Sequence, residues 1–413
     1  MNDNKKTLVL PLIIIGAMYV ILGFSIGINA FFIPFIKDAF NISTRMSYLI
    51  MTATFSAYVV FGVPSGAIIK RIGYKGGITA AFIMIAIGFF IIGYAAHISS
   101  FLLFLVALFI VGMGQTLLTG AINSYVTILG PNESAASRIC IMGICDKLAF
   151  AGASFILAGF MDLTNVRLDD VIFPFYIITG IMVVIGILSY FSPLPELKAI
   201  GEDEDEITSG DSLIASQANS KTSILQFPHL LLGVVAIFFD VGVEIIALGS
   251  INDYATILKL PSPQNYVWFT SLGMVLGYLI GVKFIPKAIS QSTALVWCAI
   301  LGTITTISIV LVPANVSIYL VAVLGFANSL LWPAIFPLAL ADLGKFTKTG
   351  SSLLVMGIIG GAILPLLFGY VADISTYQLA YLVCVPSYLF IFYFAVSGNK
   401  IRTKGRNVAP VLY

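Results

Sequence analysis

Four charged side chains stand in the middle of long apolar runs: Asp146 and Lys147 in one, Asp240 and Glu244 in another. Asp253 lies near the far end of the second. If these runs cross a bilayer, each charge costs about 2.5 kcal/mol or more to insert, so its retention points to a task performed there. Asp240 and Glu244 are spaced i,i+4 and share one helix face. Two carboxylates that close, away from water, resist ionising together, and one of them then holds an exchangeable proton. Asp146 joins them as a third candidate for proton exchange. The competing reading is static, a pairing with Lys or a helix cap. Lys147 lies ~15 Å along its run at 1.5 Å per residue, too deep to snorkel comfortably. Asp146 is its sequence neighbour, but adjacent helical residues point ~100° apart. Each of these two charges is therefore expected to find a partner on another helix. Lys147 either receives an anionic group of a ligand, balances a carboxylate of the second run, or forms a structural interhelical salt bridge.

Uncharged polar groups interrupt the same kind of run. Asn29, Gln115, Thr116, Thr119, Asn123, Asn252, Asn328 and Trp332 supply amides, hydroxyls and one aromatic face. A polyhydroxylated ligand needs converging hydrogen-bonding groups beside an apolar platform. Amides inside apolar helices also serve as interhelical glue, so each residue has both readings. The four cysteines, Cys140, Cys145, Cys298 and Cys384, form no C-x-x-C and read as small buried hydrophobes. His97 and His229 form no ligand cluster. No Walker loop, zinc motif or G-x-S-x-G elbow occurs, so no cofactor, metal or covalent nucleophile is expected.

The elements that must position these residues follow from composition. Of 413 residues, 59% are hydrophobic and 10% charged, against roughly 25% charged in soluble domains. Such a chain cannot cover a water-facing surface, so a lipid bilayer must cover it. A net charge of +2 gives no reason to expect a nucleic-acid partner. Twelve runs are long enough to span a membrane: 8–36, 47–69, 78–96, 101–128, 137–161, 172–192, 229–257, 265–286, 292–312, 317–340, 351–372 and 378–397. Backbone groups in lipid must bond internally, and the ten-residue alternation of a membrane barrel is missing, so the runs are helices. The first is too long for a signal peptide and reads as an uncleaved span.

The fold class expected is therefore an all-α membrane protein of twelve transmembrane helices in two six-helix bundles. Residues 1–192 form the first bundle, 193–228 a cytoplasmic linker, 229–398 the second bundle and 399–413 a cytoplasmic tail. The linker carries the acidic run Glu202-Asp203-Glu204-Asp205-Glu206, a solvated segment by charge pattern. With the N-terminus inside, sixteen of the 21 Lys and Arg residues fall on inner segments. Only Lys37, Arg45, Arg167 and Lys259 fall outside, and Lys147 is within a span. That asymmetry puts both termini in the cytoplasm, in a bacterial inner membrane.

The two halves repeat. Ile128-Leu129-Gly130 precedes Ile141-Met142-Gly143-Ile144 by the spacing at which Asp342-Leu343-Gly344 precedes Val355-Met356-Gly357-Ile358. Leu157-Ala158-Gly159-Phe160 mirrors Leu367-Phe368-Gly369-Tyr370. Two six-helix repeats about a central site resemble the major-facilitator architecture, in which one half rocks against the other. The segment Gly66-Ala67-Ile68-Ile69-Lys70-Arg71-Ile72-Gly73-Tyr74-Lys75 resembles that superfamily's loop between the second and third helices, with Lys70 at the usual acidic position. Gly66, Lys70, Arg71, Gly73 and Lys75 are the gating candidates it offers. Gly357 and Gly361, with Gly360 and Gly369, allow close packing or bending in the eleventh span, and Pro64, Pro333, Pro337 and Pro365 can kink theirs.

More specific stretches resemble the fucose/glucose/galactose permease family. They include Ile33-Pro34-Phe35, Val126-Thr127-Ile128-Leu129-Gly130-Pro131, Pro228-His229-Leu230 and Thr347-Lys348-Thr349-Gly350-Ser351-Ser352-Leu353-Leu354-Val355-Met356-Gly357. The resemblance covers nearly the whole chain. It implies proton-driven import of a monosaccharide, with a sugar and a proton as the transported partners. It also implies a cavity lined by spans 1, 4, 7 and 10, where the uncharged candidates lie. Some fucose-type members carry carboxylates where this chain has Ala30 and Thr119, and an Asn where it has Asp146. An acidic-sugar importer that uses Lys147 for the carboxylate is the alternative, followed by a drug exporter and a non-transporting sugar sensor. A monomer is expected.

Overall fold

The computed structural model describes residues 9–40, 44–158, 168–198 and 220–403. The acidic run of the linker lies outside these residues. Among them the regular structure is helical throughout, with no strand. The first half contains α1 (Val9–Ala39), α2 (Thr44–Val60), α3 (Gly62–His97), α4 (Phe101–Ile128), α5 (Ala135–Ala158) and α6 (Leu168–Phe191). The second contains α7 (Pro228–Ile257), α8 (Val267–Phe284), α9 (Gln291–Leu311), α10 (Ala314–Asn328), α11 (Leu331–Leu340), α12 (Thr347–Met356), α13 (Gly360–Ile374), α14 (Tyr377–Ala380) and α15 (Cys384–Val396).

Within the described residues the twelve apolar runs fall on helix, apart from a residue or two at their ends and short breaks. Among the described residues, ten stretches are long and apolar enough to cross a bilayer. The second and third runs are not separated by a loop as expected. They share the 36-residue α3, which turns at Gly73 (φ 75°, ψ 177°), a region essentially reserved for glycine. The fifth run, α5, is the polar exception because it carries Arg138, Asp146 and Lys147.

Proline explains where spans break. Pro64 cannot donate to the Val60 carbonyl, and α2 stops at Val60. Pro333 cannot donate to Ser329, and the tenth span is divided there into α10 and α11. The eleventh is divided by a 3₁₀ turn at Gly357–Ile359, while Pro365, about two turns on, is accommodated inside α13.

The pairing of helices repeats between the halves. In the first, α1 packs on α5, α2 on α4, and α3 on α4 and α6. In the second, α7 packs on α13, α8 on α10, and α9 on α10 and α15. Each half has its own aromatic core: Tyr74, Phe82, Phe89 and Tyr125 in one, Tyr254, Tyr381, Tyr388 and Phe394 in the other. The outer surface is apolar, with Leu102, Phe191, Trp297 and Leu311 each more than 60% exposed, a surface suited to lipid.

Three polar ties stiffen the face that carries the linker ends. Glu196 accepts the Tyr74 N–H at 2.7 Å and the Lys75 N–H at 3.5 Å, which caps the helix that restarts after Gly73. Arg138 donates Nε to the Val126 carbonyl, Nη2 to Thr127 and Nη1 to both Pro131 and Ser134 Oγ, at 2.6 to 3.0 Å. The end of α4 is thereby fastened to the start of α5. Arg402 of the tail donates to the Leu338 carbonyl at 3.2 Å and lies 3.7 Å from Asp342.

Candidate functional site

The halves meet along α5 with α8 and α11, and along α12 with α3 and α4. On the linker face Ser351 Oγ donates to the Gly120 carbonyl at 2.9 Å, and Gln291 bridges the Ala136 N–H and the Asn132 carbonyl. A methyl group on Gly66 would run into Ser352, and one on Gly281 would lie 2.6 Å from Cys140 Sγ. The Gly143 position is pressed by the Tyr278 ring, and Gly361 faces Phe55. Gly357 instead approaches the Val234 carbonyl within its own half. These contacts lie at mid-depth or nearer the linker face, which is closed in this conformation. Lys70 and Arg71 are exposed on that face, and Lys75 is half-buried.

At mid-depth α4 presents a ladder of polar residues. Gln115, Thr116, Thr119 and Asn123 recur at helical spacing and are all buried. Gln115 Nε2 donates to Ser25 Oγ of α1 at 3.0 Å, and Thr116 bonds back to the Gly112 carbonyl at 2.7 Å. Thr119 meets the Tyr58 hydroxyl of α2. Asn123 Nδ2 donates to the Thr119 carbonyl at 2.9 Å. Its Oδ1 accepts the Trp332 Nε1–H of α11 at 2.9 Å. Trp332 is stacked on Phe336, ring centroids 5.5 Å apart and planes at 28°. One hydrogen bond thus joins the halves at the centre, and the indole that makes it is steadied by a stack within its own helix.

The other amides are used elsewhere. Asn328 accepts the Tyr388 hydroxyl at 2.6 Å and donates to the Val243 carbonyl at 3.3 Å. Asn252 accepts the Val267 N–H at 2.9 Å and so ties the end of α7 to the start of α8. Asn29 falls within α1, but its side chain is outside the described residues.

The charged residues converge. Lys147 Nζ of α5 lies 2.8 Å from Glu244 Oε1 of α7, an ion pair between the halves. It also lies 3.1 Å from Asp146 Oδ2. Neighbouring helical residues were expected to point apart, and the structure corrects that for this pair, because the flexible four-carbon stem of Lys147 folds back over its own helix. The expectation of a partner on another helix holds for Lys147. It fails for Asp146, whose ion pair is with Lys147 on its own helix. Asp240 is fully buried with no hydrogen-bond partner on either carboxylate oxygen. Asp253, near the outer end of α7, is exposed.

Two tyrosines were missed by reading charges and amides alone: Tyr58 at Thr119, and Tyr278, which adjoins Lys147, Glu244 and Asp146. The available signal was a phenol in the middle of an apolar run, where its hydroxyl needs a partner. Among the described residues, no group of three or more His, Cys, Asp or Glu side chains could hold a metal ion, and the four cysteines are free.

Residues 15–360 match the model of the Major Facilitator Superfamily. The chain is 32% identical over 412 residues to a glucose/galactose transporter of Brucella abortus, covering 97% of this chain and 96% of the relative. It is 25% identical over 431 residues to an L-fucose-proton symporter of Escherichia coli, covering 97% and 95%. Its fold is similar to the crystal structure of the transporter FucP in the outward conformation, with a TM-score of 0.79 and 23% identity over 96% of this chain and 99% of that one. The proton:xylose symporter XylE is similar at a TM-score of 0.75 and 12% identity, covering 92% and 94%.

Proposed function

Because this chain belongs to the Major Facilitator Superfamily, we propose that it imports a neutral monosaccharide by proton symport, with glucose and galactose the first substrates to test. It is a transporter, not an enzyme. The observation that carries the reading is the Asn123–Trp332 contact between the halves at mid-depth. An amide beside an indole offers a sugar both a hydrogen bond and a stacking face. We assign Gln115, Thr116, Thr119, Asn123 and Trp332 to substrate contact, and keep Asn29 of the first span as a candidate from its place in the sequence. Asn252 and Asn328 act as supports, since their side chains already bind neighbouring helices.

Lys147 is occupied by Glu244 and Asp146. A cation already held by two carboxylates has little attraction left for a substrate carboxylate, so the acidic-sugar alternative is set aside. Proton coupling is assigned to the cluster Asp146, Asp240 and Glu244.

The excess of Lys and Arg on the linker side makes that face cytoplasmic in a bacterial inner membrane. On this reading the closed face is the inner gate and the conformation faces outward. Residues 1–192 and 229–398 are the two rocking bodies, joined by a cytoplasmic linker at 193–228 and followed by a cytoplasmic tail at 399–413. The carrier acts as a monomer. Gly66, Lys70, Arg71, Gly73, Lys75, Gly357 and Gly361 serve the gate.

The test is uptake of radiolabelled neutral, amino and acidic sugars into proteoliposomes under an imposed pH gradient. Accumulation of a neutral hexose that collapses with a protonophore supports the reading. Selective accumulation of acidic sugars, or uptake indifferent to the pH gradient, overturns it.

A further inference from the structure

Asp240 and Glu244 stand one turn apart on α7, yet Lys147 binds only one of them. Its ammonium lies 2.8 Å from Glu244, while Asp240 is fully buried and unbonded. Lys147, Asp146 and Glu244 already sum to one negative charge. A third ionised carboxylate behind them would leave two uncompensated charges away from water, which proteins avoid by neutralising the group. Asp240 therefore carries its proton in this conformation. The titratable groups around it are Lys147 on α5, Glu244 on α7, Cys298 on α9 and Tyr388 on α15. None of them gives it a hydrogen bond. Asp146 and Tyr278 are the other titratable groups beside Lys147. With no oxygen in bonding range, the Asp240 carboxyl suits a proton rather than a hard metal cation, which would gather oxygen ligands.

We propose that Lys147 changes carboxylates during transport, resting on Glu244 while the linker face is closed and moving one turn along α7 to Asp240 when that face opens. This deepens the symport reading and rests on it. A helical turn is about 5.4 Å, within the sweep of a lysine side chain. Because α5 and α7 belong to different halves, a rocking motion changes their relative register. In the step, the Asp240 O–H bond breaks and the proton passes to water in the newly opened cavity. The electron pair stays on the carboxylate, which pairs with the unchanged ammonium of Lys147. Reloading runs in reverse: a proton from the opposite side neutralises Asp240 and releases Lys147 to Glu244.

The test needs no sugar, so its outcome is separable from that of the import assay. Cysteine placed at Gly281 would face native Cys140 across the closed linker face, and the yield of the oxidised cross-link reports closure. The remaining cysteines are replaced by serine, and cross-linking of this parent establishes the baseline. Raising the pH from about 6 to about 9 is expected to lower the yield, because the closed state holds the extra proton. Asp240→Asn mimics the protonated acid and should give a high yield at every pH. Glu244→Gln should lower the yield about tenfold or more, since Lys147 loses its closed-state partner. The double variant should again lose the pH dependence. Monodispersity on gel filtration screens each variant for folding, and Lys147→Gln, predicted to be pH-independent, is a second route to the same conclusion. If Asp240→Asn follows the parent's pH dependence, or Glu244→Gln cross-links like the parent, the exchange does not occur.

Discussion

Replacing Trp332 with Phe should open the linker face, by an amount that the structure sets. The change keeps a ring to stack on Phe336 and removes one donor, the indole N–H that Asn123 Oδ1 accepts at 2.9 Å. Asn123 is only 1% exposed, so its oxygen loses a partner that water cannot replace. Stranding a buried acceptor costs about 1–3 kcal/mol. That cost falls on the closed state, because opening separates α4 from α11 and hydrates both groups. The closed-to-open ratio should then fall by about 5- to 150-fold. Native Cys140 reads the change: it is fully buried against Gly281 in the closed form and reaches water only when that face parts. With the other three cysteines replaced by serine, the maleimide labelling rate at Cys140 should rise by the same factor in Trp332→Phe. A labelling rate equal to the parent's, or slower, would refute the claim that this bond holds the halves together.

Three further outcomes are expected. A cytoplasm-restricted reporter fused after Gly201 or at Tyr413 should be active and one fused after Asp169 silent; the opposite pattern reverses the orientation. Lys147→Gln strands Glu244 and Asp146, and breaking such a pair costs about 3–5 kcal/mol. Thermal stability in detergent should drop, and Lys147→Gln combined with Glu244→Gln should recover part of the loss. Gly73→Ala forces a side chain into a glycine-only region at about 1–3 kcal/mol and into the Glu196 carboxylate. It should lower thermal stability more than Ala replacement at Gly152, where a Cβ meets open space.

The spans were legible because hydrocarbon forces backbone bonding into helices, and a twenty-residue apolar run records that constraint directly. The charges that mattered were legible for the same reason, since Asp146, Lys147, Asp240 and Glu244 stand out against apolar neighbours. Their pairing was not. Periodicity gives the direction of a Cα–Cβ bond, not the path of a four-carbon stem, so Lys147 reaching back to Asp146 lay beyond a face-counting argument. Nor does spacing say which of two carboxylates on one face meets a lysine from another helix; that depends on the depth at which α5 crosses α7. The breaks at Val60 and Ser329 were readable in kind from Pro64 and Pro333, though not as complete interruptions. Glu196 gripping the turn at Gly73 was hidden because it joins residues 122 positions apart.

The fastening of α4 to α5 bears on leakage. Arg138 binds two carbonyls at the end of α4 and two acceptors around the start of α5. The ladder proposed to grip a sugar and the lysine of the proposed proton site therefore sit on one stiff bracket. A carrier in which those two sites could shift independently would slip, spending its ion gradient on empty cycles. On the proposed assignments, displacement at Asn123 carries Lys147 with it, which would couple the sugar site to the proton site by leverage rather than by direct contact between the two cargoes.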